Sequence, residues 1–380
     1  MEPRSRPLRI GLVGADRHGR GFGARAHVPA ILATPDTELT AVCTTHGESA
    51  RLAAERHGAR RYYVGSEALV EDPEVDLIVI AIRVRSHYPV AWTALKAGKL
   101  VYCEWPLGLN SDEAGTLAAL AEQVGVPTMV GTPTMVGTQG RHAPGIVHLK
   151  NLITEGYIGR PLFFRMAHLL PRFPVRSEHW WSAMEEEHSG ALGVACSHAT
   201  DTLEAVLGPI TSLSGYAETL HPNDHYADSG EPFRWTASDT VSYQARMASG
   251  VTGSAHISNV TTEQIGFRLE IYGEEGQLSA STPYYVSYSP LTLIGMRAGA
   301  GAAEHLAIPR SLHRAGELSE DSPGYNIAHA LASLRDSWLT GIPSAADFAD
   351  AHRLHRLVAT VKRSWSERRW LDVPGRASYS

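Results

Sequence analysis

The first third of this 380-residue chain alternates short apolar runs with segments of helical periodicity, and that alternation restricts the fold more than any other feature. LRIGLV (8–13), ELTAVC (38–43), DLIVIAI (76–82), KLVYC (99–103) and PTMVG (127–131) read as buried strands. Between them, residues 24–33, 48–58, 86–98 and 111–125 repeat apolar side chains at helical spacing, and Gly58, Gly98 and Gly125 punctuate three of the ends. Strands that are apolar on both faces and joined by helices require a parallel sheet covered on both sides, so the expectation is an α/β, doubly wound parallel sheet.

The pattern changes near residue 145. GIVHLKNLITEGYIGRPL reads as an amphipathic helix ended by Gly156. Longer strands with hairpin signals follow, one pair turning at Ser249-Gly250 and another at Glu274, Glu275 and Gly276. This half reads as an open, mostly antiparallel sheet with a helix layer. Residues 297–323, rich in Gly, Ala and Ser, read as a mobile loop, and helices near 326–340 and 346–366 close the chain. The expected division is a dinucleotide-binding domain over 1–133 and an α/β domain over 134–380 for substrate binding and oligomerisation, with terminal helices free to pack back on the first domain.

Composition excludes several classes. Lys and Arg total 34 against 40 Asp and Glu, a formal charge of −6, so the totals offer no basic surface for nucleic acid, a local patch aside. Cys43, Cys103 and Cys196 sit in apolar stretches without CxxC spacing, which argues against a metal site or disulfides and for a reducing, cytoplasmic location. The N-terminus lacks the apolar core of a signal peptide, and no apolar run approaches the roughly 18 residues of a membrane span.

After the first strand comes GLVGADRHGRGFGARAHVPAIL. Gly14, position 16 and Gly19 give the frame of a dinucleotide fingerprint, but position 16 is Asp. A carboxylate about 4 Å from a pyrophosphate would cost about 4 kcal/mol at an effective dielectric near 20, so Asp16 is expected to point away in a lengthened turn. Gly19, Gly21 and Gly23 let backbone N–H groups approach phosphate at the following helix start, and Arg17 and Arg20 add charge. The second strand ends in Thr44, Thr45 and His46, with Arg51 one turn into the helix, where NAD-selective sites place an acid. Hydroxyls and cations suit a 2′-phosphate, which favours NADP over NAD. The bland alternative is that these four residues cap a helix.

Four separated segments, VDLIVIAIRVRSHYPVAWTALKAGKLVYCEWPLG, VGTQGRHAPGIVHLKNLITEGYIGRPL, SGALGVACSHATDTLEAVLG and FRLEIYGEEGQLS, together resemble the Gfo/Idh/MocA family over residues 8 to about 281. The resemblance implies a Rossmann domain, an α/β domain whose open sheet forms dimer or tetramer contacts, sugar- or polyol-like substrates and a tightly held NAD(P). The family's E-K-P stands here as Glu104-Trp105-Pro106, and its D-x-G-x-H-x-x-D as Val194, Cys196, His198 and Asp201. With Arg83-Val84 before His87, the E-W-P pattern is similar to the fungal galactose-regulon repressor branch, which keeps the dinucleotide pocket and works as a regulator.

The family's lysine touches the reacting hydroxyl. An indole has one N–H donor and no acceptor, so Trp105 cannot be the base; it can stack on nicotinamide or sugar, or fill the gap. His198, with an ordinary pKa near ~6.5, is the surviving candidate for proton exchange, and the resemblance puts it at the nicotinamide end of the cleft. Asp201, one turn on, could orient its ring. Arg83, His87, Glu104, Trp105 and Pro106 fall on the cofactor side; Arg141, His179, Trp180 and Trp181 are substrate candidates, the last three on the loop SEHWW (177–181). Three readings follow: an oxidoreductase on a sugar-like or secondary-metabolite substrate, a catalytically silent dinucleotide-binding regulator, and an epimerase or lyase using the bound cofactor.

Overall fold

The structure, a computed structural model, describes residues 6–124, 134–287, 290–342 and 346–377. The chain divides into two compact units, one of residues 1–142, 313–352 and 376–380, the other of residues 143–312 and 353–375.

The first unit is built on a six-stranded sheet: β1 Leu8–Val13, β2 Thr37–Thr44, β3 Arg61–Val64, β4 Leu77–Ile80, β5 Leu100–Glu104 and β6 Thr134–Gly137, ordered β3-β2-β1-β4-β5-β6. Every pairing is parallel. The order reverses between β1 and β4, the switch point where open α/β sheets bind ligands at their carboxyl edge. β3 and the short helix that follows it were not anticipated, because β3 is an exposed edge strand, with Tyr62 49% and Val64 55% accessible, and carries no buried run. The expected strand at 127–131 lies outside the described residues. The hexapeptide PTMVGT occurs twice in tandem, at 127–132 and 133–138, and β6 lies in the second copy. A shift of six residues is even and preserves side-chain alternation, so the pattern alone points to either copy.

Helices α1 Val28–Ala33, α2 Gly47–His57, α3 Ser66–Glu71, α4 His87–Lys96 and α5 Ser111–Gln123 connect the strands. The Asn110 side chain caps α5 by accepting from the N–H groups of Asp112 and Glu113 at 3.0 and 2.9 Å. Leu8, Ile10, Leu12, Val79 and Tyr102 pack with Ile31 and with Ile327, Leu331, Leu334 and Trp338 of the later helix Tyr325–Thr340. The boundary expected after residue 133 therefore falls after His142, because β6 completes the sheet and the turn behind it stays with this unit. Nor is the whole of 297–323 loose: Ala315 is buried, and the Arg314 N–H donates to His329 Nε2 at 3.0 Å.

In the second unit, α6 Pro144–Thr154 leads into β7 Pro161–Pro171, the centre of a nine-stranded sheet; α7 Ser197–Leu207 then precedes β8 Ile210–Glu218. After a small hairpin, β9 Asn223–His225 with β10 Pro232–Arg234, come β11 Thr240–Met247, β12 Thr252–Thr261, β13 Gly266–Gly273, β14 Gly276–Thr282, β15 Thr292–Arg297, β16 Glu304–His305 and β17 Leu371–Asp372. The order is β16-β15-β14-β13-β7-β12-β11-β8-β17, and only β7 with β12 is parallel. Along β7, Phe164, Met166, His168 and Leu170 point into the core with Ile146, Leu149, Ala195 and Leu203. The opposite face is open: Phe163 is 47% exposed and stacks on Tyr272 at 4.5 Å, and Arg165 pairs with Glu270 at 3.2 Å.

Candidate functional site

The carboxyl ends of the parallel strands carry most of the expected cofactor residues. Gly14, just after β1, has φ of 105°, and a Cβ there would overlap the Ala81 carbonyl oxygen beyond β4. A Cβ on Gly23 would lie 2.6 Å from the Gly14 carbonyl oxygen, so these two glycines let the turn and the next helix close on the strand end. Residues Gly23–His27 form a π turn that runs into α1. Asp16 is turned into its own loop: its carboxylate accepts from the N–H groups of His18, Arg20 and Gly21 at 2.9, 2.7 and 3.3 Å. Burial works to raise its pKa, yet those three donors together hold it below the usual carboxylate range. Arg17, His18, Leu52, Glu55 and Arg56 line a cavity of about 570 Å³ against this turn, and the Arg56 guanidinium lies where a Cβ on Gly19 would meet it at 3.0 Å. The turn thus combines close backbone approach with cationic side chains, which fits a bound dinucleotide.

At the end of β2, the Thr44 hydroxyl donates to the His46 carbonyl at 3.0 Å, and α2 begins without a side-chain cap. Arg51 pairs with Glu55 at 2.5 Å on the exposed side of α2. At the end of β4, Arg83 is exposed and leads a short turn into His87, which is buried. Both ring nitrogens of His87 face backbone oxygens, Nδ1 that of Pro106 at 2.7 Å and Nε2 that of Ile82 at 2.9 Å. Burial lowers its pKa against the pull of both carbonyls, so the neutral ring has one proton, assigned by the shorter distance to Nδ1. His87 therefore ties the β4 end to the β5 end, and its ring nitrogens are not available to a ligand.

Glu104 at the end of β5 is held by His27 of the π turn, Oε1 to Nε2 at 2.8 Å. Trp105 is only 7% exposed, and the Trp105–Pro106 bond is cis. The indole packs into the unit instead of projecting from it. Beyond β6, Thr138 and Gln139 are buried, and Thr138 Oγ1, Gln139 Oε1 and His142 Nε2 have no hydrogen-bond partner. Burial, helped by Arg141, His329 and Arg314, pushes His142 down to about 3. Arg141 lies 3.9 Å from Asp350. Sequence reasoning missed His27, Thr138, Gln139 and His142. The signal for the last three was a polar cluster, TQGRH, directly after a strand; His27 had only its place in the first helix.

In the second unit, His198 and Asp201 sit one turn apart on α7, 8% and 4% exposed. α7 is entered through a π turn, Ala191–Cys196, and a Cβ on Gly193 in that turn would overlap the His188 carbonyl oxygen. Burial pushes His198 down to about 4, with the charge of His168 adding to the effect, so the ring is neutral at pH 7. Its Nδ1 has no partner, so Asp201 does not orient it through that atom. His179, Trp180 and Trp181 lie on a 3-10 segment whose start is tied down by Asp228, which accepts from the Ser177 N–H and hydroxyl at 2.8 and 2.7 Å. Trp180 is 37% exposed. Among the described residues, no group of three His, Cys, Asp or Glu side chains could hold a metal ion, and no helix is long and apolar enough to cross a membrane.

A parallel sheet with a glycine-bearing turn after its first strand, joined in one chain to a unit built on an open mixed sheet, defines a two-unit α/β protein of the dinucleotide-binding class. Residues 8–132 match the model of the oxidoreductase family with an NAD-binding Rossmann fold, and residues 146–279 match the Gfo/Idh/MocA C-terminal domain. The chain belongs to the Gfo/Idh/MocA family of NAD-binding oxidoreductases. An uncharacterized oxidoreductase of Synechocystis sp. is 30% identical over 68% of this chain and 69% of its own length. Levoglucosan dehydrogenase of Pseudarthrobacter phenanthrenivorans is 27% identical over 71% of this chain and 73% of its own. A solved structure of levoglucosan dehydrogenase with NADH and L-sorbose superposes with a TM-score of 0.82 at 23% identity, covering 98% of this chain and all of that one. A super-repressor mutant of Gal80p from Saccharomyces cerevisiae superposes at 0.85 with 22% identity, covering 98% and 100%.

Proposed function

We propose that this chain is an NADP-linked oxidoreductase of a sugar-like or secondary-metabolite alcohol or carbonyl, with His198 carrying the proton in place of the family's lysine. The observation that carries the reading is the pairing of losses and retention: position 105 holds a buried indole that cannot exchange protons, while α7 keeps a neutral imidazole at its first turn. Levoglucosan dehydrogenase supplies the sugar class by its name. NADP is favoured because β2 ends without a carboxylate and Thr44, Thr45 and Arg51 stand there, with Arg17 and Arg56 lining the adjoining cavity.

The residues then divide the work. Gly14, Gly23, Arg17, Gly19 and Arg20 would hold the pyrophosphate, and Glu104, fixed by His27, would be the polar group offered to the carboxamide. Arg83 adds charge at the β4 end, and His87 keeps the Trp105–Pro106 turn in place through the Pro106 carbonyl. A bound nicotinamide would supply the hydride acceptor for oxidation of a carbinol, and the hydride donor for reduction of a carbonyl. The hydroxyl proton passes to the neutral imidazole of His198, and a carbonyl remains; reduction is the reverse, with the imidazolium as donor. Trp180, 37% exposed, offers an aromatic surface for the apolar face of a sugar, with His179 and Trp181 on the same segment and Arg141 a further polar group for recognition. Homodimers or tetramers form through the open sheet face that carries Phe163 and Trp370.

The test is turnover of a polyol, sugar and carbonyl panel, followed at the reduced nicotinamide band. His198→Ala is expected to abolish turnover while cofactor affinity stays unchanged; an active variant refutes the assignment. The regulator reading is favoured by Trp105 and Val194 standing where the family handles protons. Silence of the wild type across the panel, with ligand-dependent association with another protein, selects it.

A further inference from the structure

His27 is fully inaccessible, ends the π turn Gly23–His27, and its Nε2 donates to Glu104 Oε1 at 2.8 Å. A carboxylate only accepts, so the imidazole proton is assigned to Nε2. The ring sits between two others: Phe22, just before the turn, meets it edgewise at 5.8 Å, and Tyr102 does so at 5.3 Å. Tyr102 and Glu104 are two residues apart on β5 and so share one face of the sheet, the face that His27 meets. The backbone of the turn explains the reach. The Val28 N–H donates to the Gly23 carbonyl, five residues back, and this wider turn takes one residue more than an α turn. Gly23, at its start, closes on the Gly14 carbonyl of the glycine turn; His27, at its end, faces β5. One short piece of backbone therefore meets both the glycine turn and the end of β5. Packing alone does not account for an imidazole here. His27 Nδ1 is buried without a hydrogen-bond partner, a penalty that a phenylalanine between Phe22 and Tyr102 would avoid. What phenylalanine lacks is the donor to Glu104.

We propose that His27 is a positioning residue for the nicotinamide half of the dinucleotide: it holds the Glu104 carboxylate, whose side chain keeps 12% of its surface exposed, in the orientation offered to the carboxamide, and it does so from the same π turn that closes on the glycine turn. Without the imidazole the carboxylate turns freely, and only the nicotinamide half of a ligand loses a contact. A π turn at the start of a helix is a common site of such functional adjustment. The role rests on the dinucleotide reading of this site. It does not depend on His198, nor on which of the two dinucleotides is preferred, and testing it needs no substrate.

The experiment is titration calorimetry of the full-length chain with two ligand pairs, NADPH with 2′-phospho-ADP-ribose and NADH with ADP-ribose. Within each pair a hydroxyl replaces the nicotinamide, so the ratio of the two affinities reads that half alone. In His27→Phe the ratio is expected to fall about 10-fold, while the ADP-ribose forms bind within about twofold of wild type. His27→Gln, whose amide nitrogen reaches close to the place of Nε2, should restore most of the ratio; His27→Asn, with a shorter side chain, should not. A merely structural role would weaken both members of a pair alike and gain nothing from glutamine over asparagine. An unchanged ratio in His27→Phe, equal losses for both ligands, or the same ratio in His27→Gln and His27→Asn overturns the proposal. The comparison of glutamine with asparagine decides it should His27→Phe fail to fold. Tighter binding of NADH than of NADPH by the wild type removes the NADP reading instead and leaves the ratios to judge His27, so the two failures are distinguishable.

Discussion

Asp16 offers the sharpest test of how the dinucleotide turn works, because two opposing effects meet in one carboxylate. Replacing it by alanine removes three acceptor contacts, from the N–H groups of His18, Arg20 and Gly21. Hydrogen bonds to a charged group are worth about 1.5–3 kcal/mol each when well made. The loop is partly exposed and the third contact is long at 3.3 Å, so about 2 kcal/mol in total is a fair discounted figure for the ordering lost. If binding must restore that order, affinity falls about 30-fold at roughly 1.4 kcal/mol per decade. Against this, alanine removes a negative charge from the neighbourhood of a pyrophosphate. At a separation of about 8 Å in water, two phosphate charges contribute roughly 1 kcal/mol of relief before salt screening reduces it. The ordering effect wins, and Asp16→Ala is expected to weaken NADPH binding about 5- to 30-fold. Asp16→Asn, which keeps an acceptor oxygen and loses the charge, should bind close to the wild type. Titration calorimetry at low and high salt measures both. Tighter binding by Asp16→Ala at both salt concentrations would refute the reasoning, since the carboxylate would then act only as a repulsive charge.

Arg51→Ala should weaken NADPH more than NADH, by about 1 kcal/mol for loss of one exposed cation; equal losses, read by calorimetry, would remove Arg51 from 2′-phosphate recognition. Burial pushes His142 down to about 3 and His168, His188 and His198 to about 4. In the unfolded chain each titrates near ~6.5. Between those values the unfolded chain binds more protons than the folded one, so this stability is complete above pH ~6.5 and is lost as pH falls toward 4, by about 1.4 kcal/mol per unit for each ring. Urea midpoints should drop steeply across that window; a flat profile contradicts the burial of four neutral imidazoles. Gly193→Ala should cost about 3 kcal/mol or more, because the new methyl overlaps the His188 carbonyl and the π turn cannot close; a thermal melt within a degree or two of wild type would show that the turn relaxes freely.

Much of the architecture was legible because hydrophobic periodicity is a local property. Strands β1, β2, β4 and β5 and helices α2, α4 and α5 fall where apolar runs and terminal glycines put them. β3 escaped because an exposed edge strand has no reason to carry a buried run. Of the site, the glycine turn, the indole at 105 and the imidazole at 198 could be read directly. What their neighbours do could not. His27 and Glu104 are 77 residues apart in sequence and 2.8 Å apart in space, and nothing local to either announces the other.

By itself, then, the sequence determined a parallel sheet covered by helices, a glycine-bearing turn after the first strand, and an indole at the end of β5. Residue types and short-range spacing suffice for these, since they depend on which side chains must leave water and which backbone angles a residue permits. Only the tertiary structure decided that Glu104 is held by His27, that the His87 ring meets the Pro106 carbonyl, and that His168 of β7 is buried with neither ring nitrogen hydrogen-bonded. It also decided which of two identical hexapeptides becomes β6. The reason is common to all four: a polar group's partner, like a strand's register, is chosen by segments distant in sequence, and a local pattern contains no record of them.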